Sequence, residues 1–306
     1  DRNYDGSTSA TVNAAPGGLT GGDSVVLAYT AANFADKHVG TGKAINVTGI
    51  SLVGADALNY TIASTGSASA SIFAAPITLA SSTVNKAYDG GVGALGTATV
   101  SAGTLFGGDS LSGRTFAFTD KNVGPGKTVT ASGITVNDGN GGANYLVSYA
   151  NNTSSSISPA GLTVTAPTIT KVYDGTTNAT GNAIVGALAG AAAGEQVGLA
   201  ATLAYTDQNV GIGNKTTRAA GLTVVDSSGT DVTANYVLNY VDNTASSITP
   251  APLTVTPNAD ARFVGKPDLP GYAGAHFDGL VGGETPSVLS GTLAIDGVSI
   301  SGGNLV

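Results

Sequence analysis

The residues best suited to chemistry in this chain are carboxylates that recur. Asp5, Asp89 and Asp174 each sit inside a Tyr-Asp-Gly tripeptide: Tyr4-Asp5-Gly6, Tyr88-Asp89-Gly90 and Tyr173-Asp174-Gly175. Asp36, Asp120 and Asp207 each follow an aromatic by two positions, in a block that closes on Val-Gly at Gly40, Gly124 and Gly211. A further acid stands in each copy at Asp23, Asp109 or Glu195. Such carboxylates could act as general acid and base, or they could ligate calcium. Acid–base work needs a partner group at a fixed place, and none recurs beside these residues. Calcium takes six or more oxygens, several of them often carboxylates, and two or three acids per copy is a thin supply. No segment has the acidic spacing of an EF-hand loop.

A third reading is structural. Gly accepts positive φ and Asp hydrogen-bonds the backbone two residues on, so Asp-Gly is a strong turn signal. A neighbouring Tyr can bury its ring while its hydroxyl finds a polar partner. On this reading Tyr4, Asp5, Gly6, Tyr88, Asp89, Gly90, Tyr173, Asp174 and Gly175 are turn residues. So are Asp36, Gly40, Asp120, Gly124, Asp207 and Gly211. No catalytic residue, metal ligand or cofactor is assigned, no ligand-binding residue is identified, and calcium binding is left open.

Other chemistries find less support. The "VGPGKT" stretch around Lys127 has Lys121 where a phosphate-binding loop needs its first Gly. The two His, His38 and His276, do not repeat, and Asn122 and Asn209 replace His38 in the other copies. With no Cys as well, nucleophilic triads and zinc sites lack their parts. A Lys–Asn isopeptide crosslink could use Lys86, Lys171, Lys37 or Lys121, but Arg2 and Gln208 fill equivalent slots, so one shared by every copy is excluded.

The elements that must position these residues come in the same order three times. Tyr-Asp-Gly is followed by the Asp-x-x-Val-Gly block, then by an Asn-Tyr strand ("NYTIAS", "NYLVSY", "NYVLNY"), then by a closing "SIFAAPITLA", "SISPAGLTVTA" or "SITPAPLTVTP". The Tyr-Asp-Gly copies are 84 and 85 residues apart. That period is too long for a solenoid and suits a small β-sandwich. Runs such as "DSVVLAYT" alternate apolar and polar residues, and Gly, Asn, Asp and Ser punctuate them every 8–12 residues. No window carries a capped helical stripe. The expected architecture is all-β, with tandem Ig-like β-sandwich domains in an elongated rod. The expected boundaries are 1–75, 76–160, 161–251 and a partial fourth domain at 252–306. The first domain is expected to lack a strand before Tyr-Asp-Gly, read as an edge strand, and to be the least stable. Gly282-Gly283-Glu284 in the fourth region echoes Gly21-Gly22-Asp23 and Gly107-Gly108-Asp109.

Composition narrows the partners. Charged residues are 10% of the 306, against about 25% in a typical soluble domain. The net charge of −8, with basic residues scattered singly, argues against nucleic acid. No run is apolar enough to insert into a membrane. The absence of Cys fits either a reducing compartment or export as an unfolded thread. With Asp1 just before a repeated motif, the chain reads as a piece of something larger that continues into flanking domains.

These blocks resemble the YDG-domain repeats of very large bacterial surface proteins, through Tyr88-Asp89-Gly90, Asp120-Lys121-Asn122-Val123-Gly124, Asn144-Tyr145 and Ser158-Pro159-Ala160 with their counterparts. The C-terminal stretch from Leu253 to Glu284 resembles an MBG domain, with Phe263 at a position where an aromatic is common. The resemblance implies secreted adhesins similar to filamentous haemagglutinin, exported by two-partner secretion to the bacterial cell surface, with Ig-like domains in series. It implies a stalk that spaces an adhesive tip from the cell and supports biofilm. The alternative is that the repeats themselves bind exopolysaccharide or other cell-surface glycans. The family brings no catalytic motif.

Overall fold

The computed structural model describes residues 1–257 and 275–290, with the backbone of 300–301 and 304–305. The protein is all-β. Helices among the described residues are single 3-10 turns of three residues, such as Ala57–Asn59 and Thr233–Asn235. Runs of Val, Ile, Thr and Tyr cut by Gly every few residues favour short strands over helices. The chain divides into two compact units, Asp1–Ser158 and Pro159–Val306. No helix among the described residues is long and apolar enough to cross a membrane.

The first unit holds the first two repeats. In the second repeat, one sheet has the strand order Thr115–Phe118, Gly124–Ser132, Asn152–Ser158, Asn85–Ala87. Its other main sheet has the order Tyr145–Tyr149, Ala75–Ser81, Ala98–Gly103. Alternation orients the strands: Phe116 and Phe118 are buried while Thr115 between solvent and sheet stays exposed. Ala75–Ser81, the lead strand of the repeat, is the most deeply buried. Ile77 and Leu79 are 2% and 0% exposed, and burying such a side chain contributes about 1.5–3 kcal/mol.

The sequence reads the lead strand as an edge strand, and the structure corrects this. It runs between Tyr145–Tyr149, to which it pairs in parallel, and Ala98–Gly103, to which it pairs antiparallel. The reason is visible in its residues. Ala80 and Ser81 are buried as well as Ile77 and Leu79, so this end of the strand has no solvent face to give away.

The third repeat, in the second unit, repeats the plan. Its lead strand Ala160–Thr165 lies between Ile184–Val185 and Tyr236–Val241, again parallel to the latter. Its larger sheet runs Thr170–Val172, Asn243–Thr249, Gly211–Ala220, Thr202–Tyr205, Asn178–Ala179. Further on, Thr254–Pro257 pairs antiparallel with Ala275–Asp278, much as a lead strand pairs with its antiparallel neighbour. Phe263, part of the MBG-like pattern, lies outside the described residues.

The first repeat keeps the larger sheet, in the order Arg2–Asn3, Ala68–Phe73, Gly40–Thr48, Ala31–Phe34. Among the described residues no strand occupies the lead position. Tyr60–Ser64, the counterpart of Tyr145–Tyr149, forms no strand.

Candidate functional site

The Tyr-Asp-Gly segments are tight turns. Gly6, Gly90 and Gly175 have φ of 78°, 74° and 72°, a region that Cβ-bearing residues enter only with strain. In each, the Asp carboxylate accepts a backbone hydrogen bond two residues on: from Ser7 N at 2.8 Å, Gly91 N at 2.9 Å and Thr176 N at 2.9 Å. The residue three before each Asp is a cation that pairs with it. Arg2 pairs with Asp5, and Lys86 and Lys171 reach Asp89 and Asp174 at 2.7 Å. Each cation also lies over a ring of the next block: Arg2 over Phe34 and Lys86 over Phe118, both at 5.4 Å, and Lys171 over Tyr205 at 5.3 Å. The Lys171 ammonium, with the Thr176 amide and hydroxyl, holds the Asp174 carboxyl down at about 2. At Asp5 and Asp89 burial pushes the other way, but the cation and the amides together still lower them.

The second block has its own ion pair. Asp36, Asp120 and Asp207 each accept a backbone N–H two residues on, at 2.8, 2.9 and 2.9 Å. Each also pairs with a lysine further along: Lys43, Lys127 and Lys215. Those lysine ammonium groups are the main reason that all three carboxyls are lowered. Gly40, Gly124 and Gly211 are the first residues of the long strands and are not at positive φ. They share closeness to the lysine stem: a Cβ built there would lie 3.2, 3.7 and 2.7 Å from Cδ of Lys43, Lys127 and Lys215. The long strand shifts register at each lysine, which lets the side chain turn back to the Asp. Sequence reasoning had no role for these lysines. The recurring Gly-x-Gly followed closely by Lys was the available signal.

Three of the repeated motifs and the further acid meet at the joint between the first two repeats. Asp109 of the second repeat, its side chain 2% exposed, accepts from the Tyr4 hydroxyl at 3.0 Å, from its own Tyr145 hydroxyl at 2.7 Å and from Lys37 at 3.3 Å. Tyr4, Phe106 and Tyr145 pack edge-on or stacked around it, with ring centroids 5.3–6.4 Å apart. Burial first and Asp109 second push the Tyr145 phenol well above its usual range. Asn144 of the Asn-Tyr pair, fully buried, accepts from Val39 N at 3.0 Å and from Asn140 Nδ2 at 2.9 Å. Its own amide nitrogen therefore faces His38 Nδ1, at 3.2 Å, as donor. Asp138, which sequence reasoning passed over, fixes that loop by accepting from the backbone N–H groups of Asn140, Gly142 and Asn144.

Part of this arrangement recurs in the second unit. The Tyr173 hydroxyl donates to Glu284 at 2.6 Å, and Gly175 lies against Gly282. Inside each repeat the Asn-Tyr hydroxyl donates to the acid of the same repeat. Tyr60 reaches Asp23 at 2.5 Å and Tyr236 reaches Glu195 at 2.6 Å. Burial, then the Glu195 contact, pushes the Tyr236 phenol up to about 12. The repeated acids thus accept from tyrosines and lysines. Among the described residues no three His, Asp or Glu side chains gather as metal ligands would.

The model of the YDG domain family matches residues 1–68, 74–154 and 158–245. The chain belongs to the YDG domain family. No curated protein and no solved structure matches it.

Proposed function

We propose that this chain is a stretch of the stalk of a large bacterial extracellular adhesin, in which tandem Ig-like β-sandwiches hold an adhesive tip away from the cell. The observation that carries the reading is the joint at Asp109. Repeated residues bond across it: Tyr4 and Lys37 of the first repeat to Asp109 of the second, and Val39 N to Asn144, with the Tyr4 ring packed on Tyr145. A repeat whose signature residues serve its neighbour is suited to spacing. The C-terminal region from 252 fits as an MBG-type domain, since Glu284 receives Tyr173 as Asp109 receives Tyr4. Secretion through the two-partner route, with adhesion and biofilm support at the cell surface, completes the proposal. Flanking domains of a longer protein would carry the tip and the anchor.

The rival reading, that these repeats bind exopolysaccharide, needs exposed aromatic faces. Four of the six signature tyrosines, Tyr4, Tyr88, Tyr145 and Tyr236, are 1–6% exposed, which supports the spacer, while Tyr149 and Phe73 at 46% and 48% are the aromatics a glycan would have to use.

Small-angle scattering tests the proposal. Three and a half domains in line, each roughly 35–40 Å long, span about 130 Å. Such a rod has a radius of gyration near ~38 Å, against ~19 Å for a compact globule of this length. A monomer at the globular value would refute the stalk. Specific binding on a glycan array would favour the rival.

A further inference from the structure

His38 has no counterpart in the other repeats, where Asn122 and Asn209 hold its place. It is half-buried at the joint between the first two repeats. Its ring lies against a loop of the second repeat: a Cβ built on Gly139 would come within 3.8 Å of His38 Cε1. Its Nδ1 is 3.2 Å from Nδ2 of Asn144. The orientation of Asn144 is fixed from the other side. Its Oδ1 accepts from the Val39 backbone N–H at 3.0 Å and from Asn140 Nδ2 at 2.9 Å. A backbone N–H can only donate, so the amide oxygen faces Val39 and the amide nitrogen faces His38. That nitrogen also only donates, so His38 Nδ1 has to accept. The docked ring is therefore neutral, with its proton on Nε2. Turning Asn144 over to suit a protonated ring would set its NH2 against the Val39 N–H. Asn144 is 0% exposed, so water cannot make up that loss. Turning the ring over instead brings a C–H to Asn144. Each rearrangement leaves the joint short of at least one hydrogen bond.

We propose that His38 makes this joint an acid-sensitive latch, closed while the imidazole is neutral and loosened when it takes a proton. The charged groups around it do not replace the lost bond. Asp36, on the same turn, accepts from the His38 amide at 2.8 Å and would favour a proton on the ring. Lys43 already pairs with that carboxylate, and it also reaches the His38 carbonyl at 2.7 Å. From the second repeat, the Asp138 carboxylate is taken up by the N–H groups of Asn140, Gly142 and Asn144. Asp109 is taken up by Tyr4, Tyr145 and Lys37. Each of these carboxylates thus has a cation or donors of its own. An ordinary imidazole changes charge between about pH 5 and 8, so the latch is firm above that window and looser below it. The Asn at this place in the other repeats does not titrate, so the response belongs to this joint. The inference rests on the geometry of the joint alone and holds whether or not the chain is a stalk.

The test compares the intact chain with His38→Asn. Nitrogen NMR at pH 8, with the variant identifying the signal, reads the tautomer: the proton is expected on Nε2, and a proton on Nδ1 would overturn the proposal. Hydrogen exchange between pH 7.5 and 5, corrected for the intrinsic pH dependence, follows the Val39 and Asn144 amides. In the native chain their protection falls about tenfold as pH drops, the worth of one buried hydrogen bond. Amides of Ala75–Ser81 hold theirs, because the joint opens and the core does not. In His38→Asn the Val39 and Asn144 amides keep their protection across the range. No loss in the native chain, an equal loss in both chains, or a loss shared by Ala75–Ser81 would each overturn the latch. If the variant fails to fold, the tautomer and the exchange of the native chain still decide it, with the signal then assigned through His276→Asn.

Discussion

At the scale of single residues, the joint turns on how a nearly inaccessible carboxylate is satisfied. Asp109 is stabilised by two phenols and a lysine, and removing one partner leaves it short of a bond it cannot recover from water. Tyr145→Phe keeps the ring packing but removes its hydroxyl, which also accepts from Phe106 N. The expected loss is about 1.5–3 kcal/mol, the range for hydrogen bonds to charged groups, read from urea unfolding. A change within error would mean that Asp109 contributes nothing to holding this region. Gly175→Val puts a β-branched residue at φ 72° against Gly282 and should cost about 1–3 kcal/mol. The turn chemistry of Asp174 and Gly175 was legible in the sequence because it is local: an Asp accepts from the amide two residues on, and Gly tolerates the φ. Asp109 was not legible as a receiver. Its partners Tyr4 and Lys37 come from another repeat, and nothing in the spacing of a Gly-Gly-Asp triplet reveals what will be brought to it.

The same groups set the pH range of stability. Asp174 sits at about 2 in the fold against an ordinary 3.8, so its contribution is present above about pH 4 and disappears as pH falls towards 2. Asp36, Asp120 and Asp207 shift in the same direction. Tyr236 is raised from 10 to about 12, so its contribution is complete below pH 10 and is lost as pH climbs through 12. Melting temperature against pH should therefore hold a plateau and fall on both sides. A continued rise below pH 3 would contradict the ion-pair geometry.

At the scale of elements, the lead strand decides which parts of a repeat are firm. Tyr145–Tyr149 and Tyr236–Val241 are strands because a buried neighbour runs beside them, while Tyr60–Ser64 has almost the same residue pattern and no such neighbour among the described residues. In the chain alone, amides at Tyr60–Ser64 should exchange far faster than those at Tyr145–Tyr149. Equal protection would show that the segment finds another partner. The existence and type of strands were readable from alternation and Gly punctuation. The central place of the lead strand was not. A run such as Ile-Thr-Leu-Ala-Ser alternates like a half-exposed strand, and only the packing shows that Ala80 and Ser81 are buried too. The register shift at Lys43, Lys127 and Lys215 was equally hidden, because it exists to return a lysine to an Asp several residues earlier.

At the scale of the whole molecule, the repeated acids are already matched by cations, phenols and amides of the chain itself. Removing divalent ions with a chelator should therefore move the melting temperature by no more than about 1 °C, since a ligand that binds only the folded state would have raised it by mass action. A large drop that calcium restores would reassign the Asp residues.

The parallel pairing near the two ends of each repeat has a mechanical consequence. Asn85–Ala87, near the start of the second repeat, pairs in parallel with Ser156–Ser158 near its end, and Thr170–Val172 pairs likewise with Ser247–Thr249 in the third. Tension applied to the two ends of such a repeat drags these strands past each other along their own axes. The hydrogen bonds lie across the pull and are loaded together in shear, where a hairpin pulled open at its tip would give way one bond at a time. A repeat wired in this way resists extension up to a threshold force and then yields all at once.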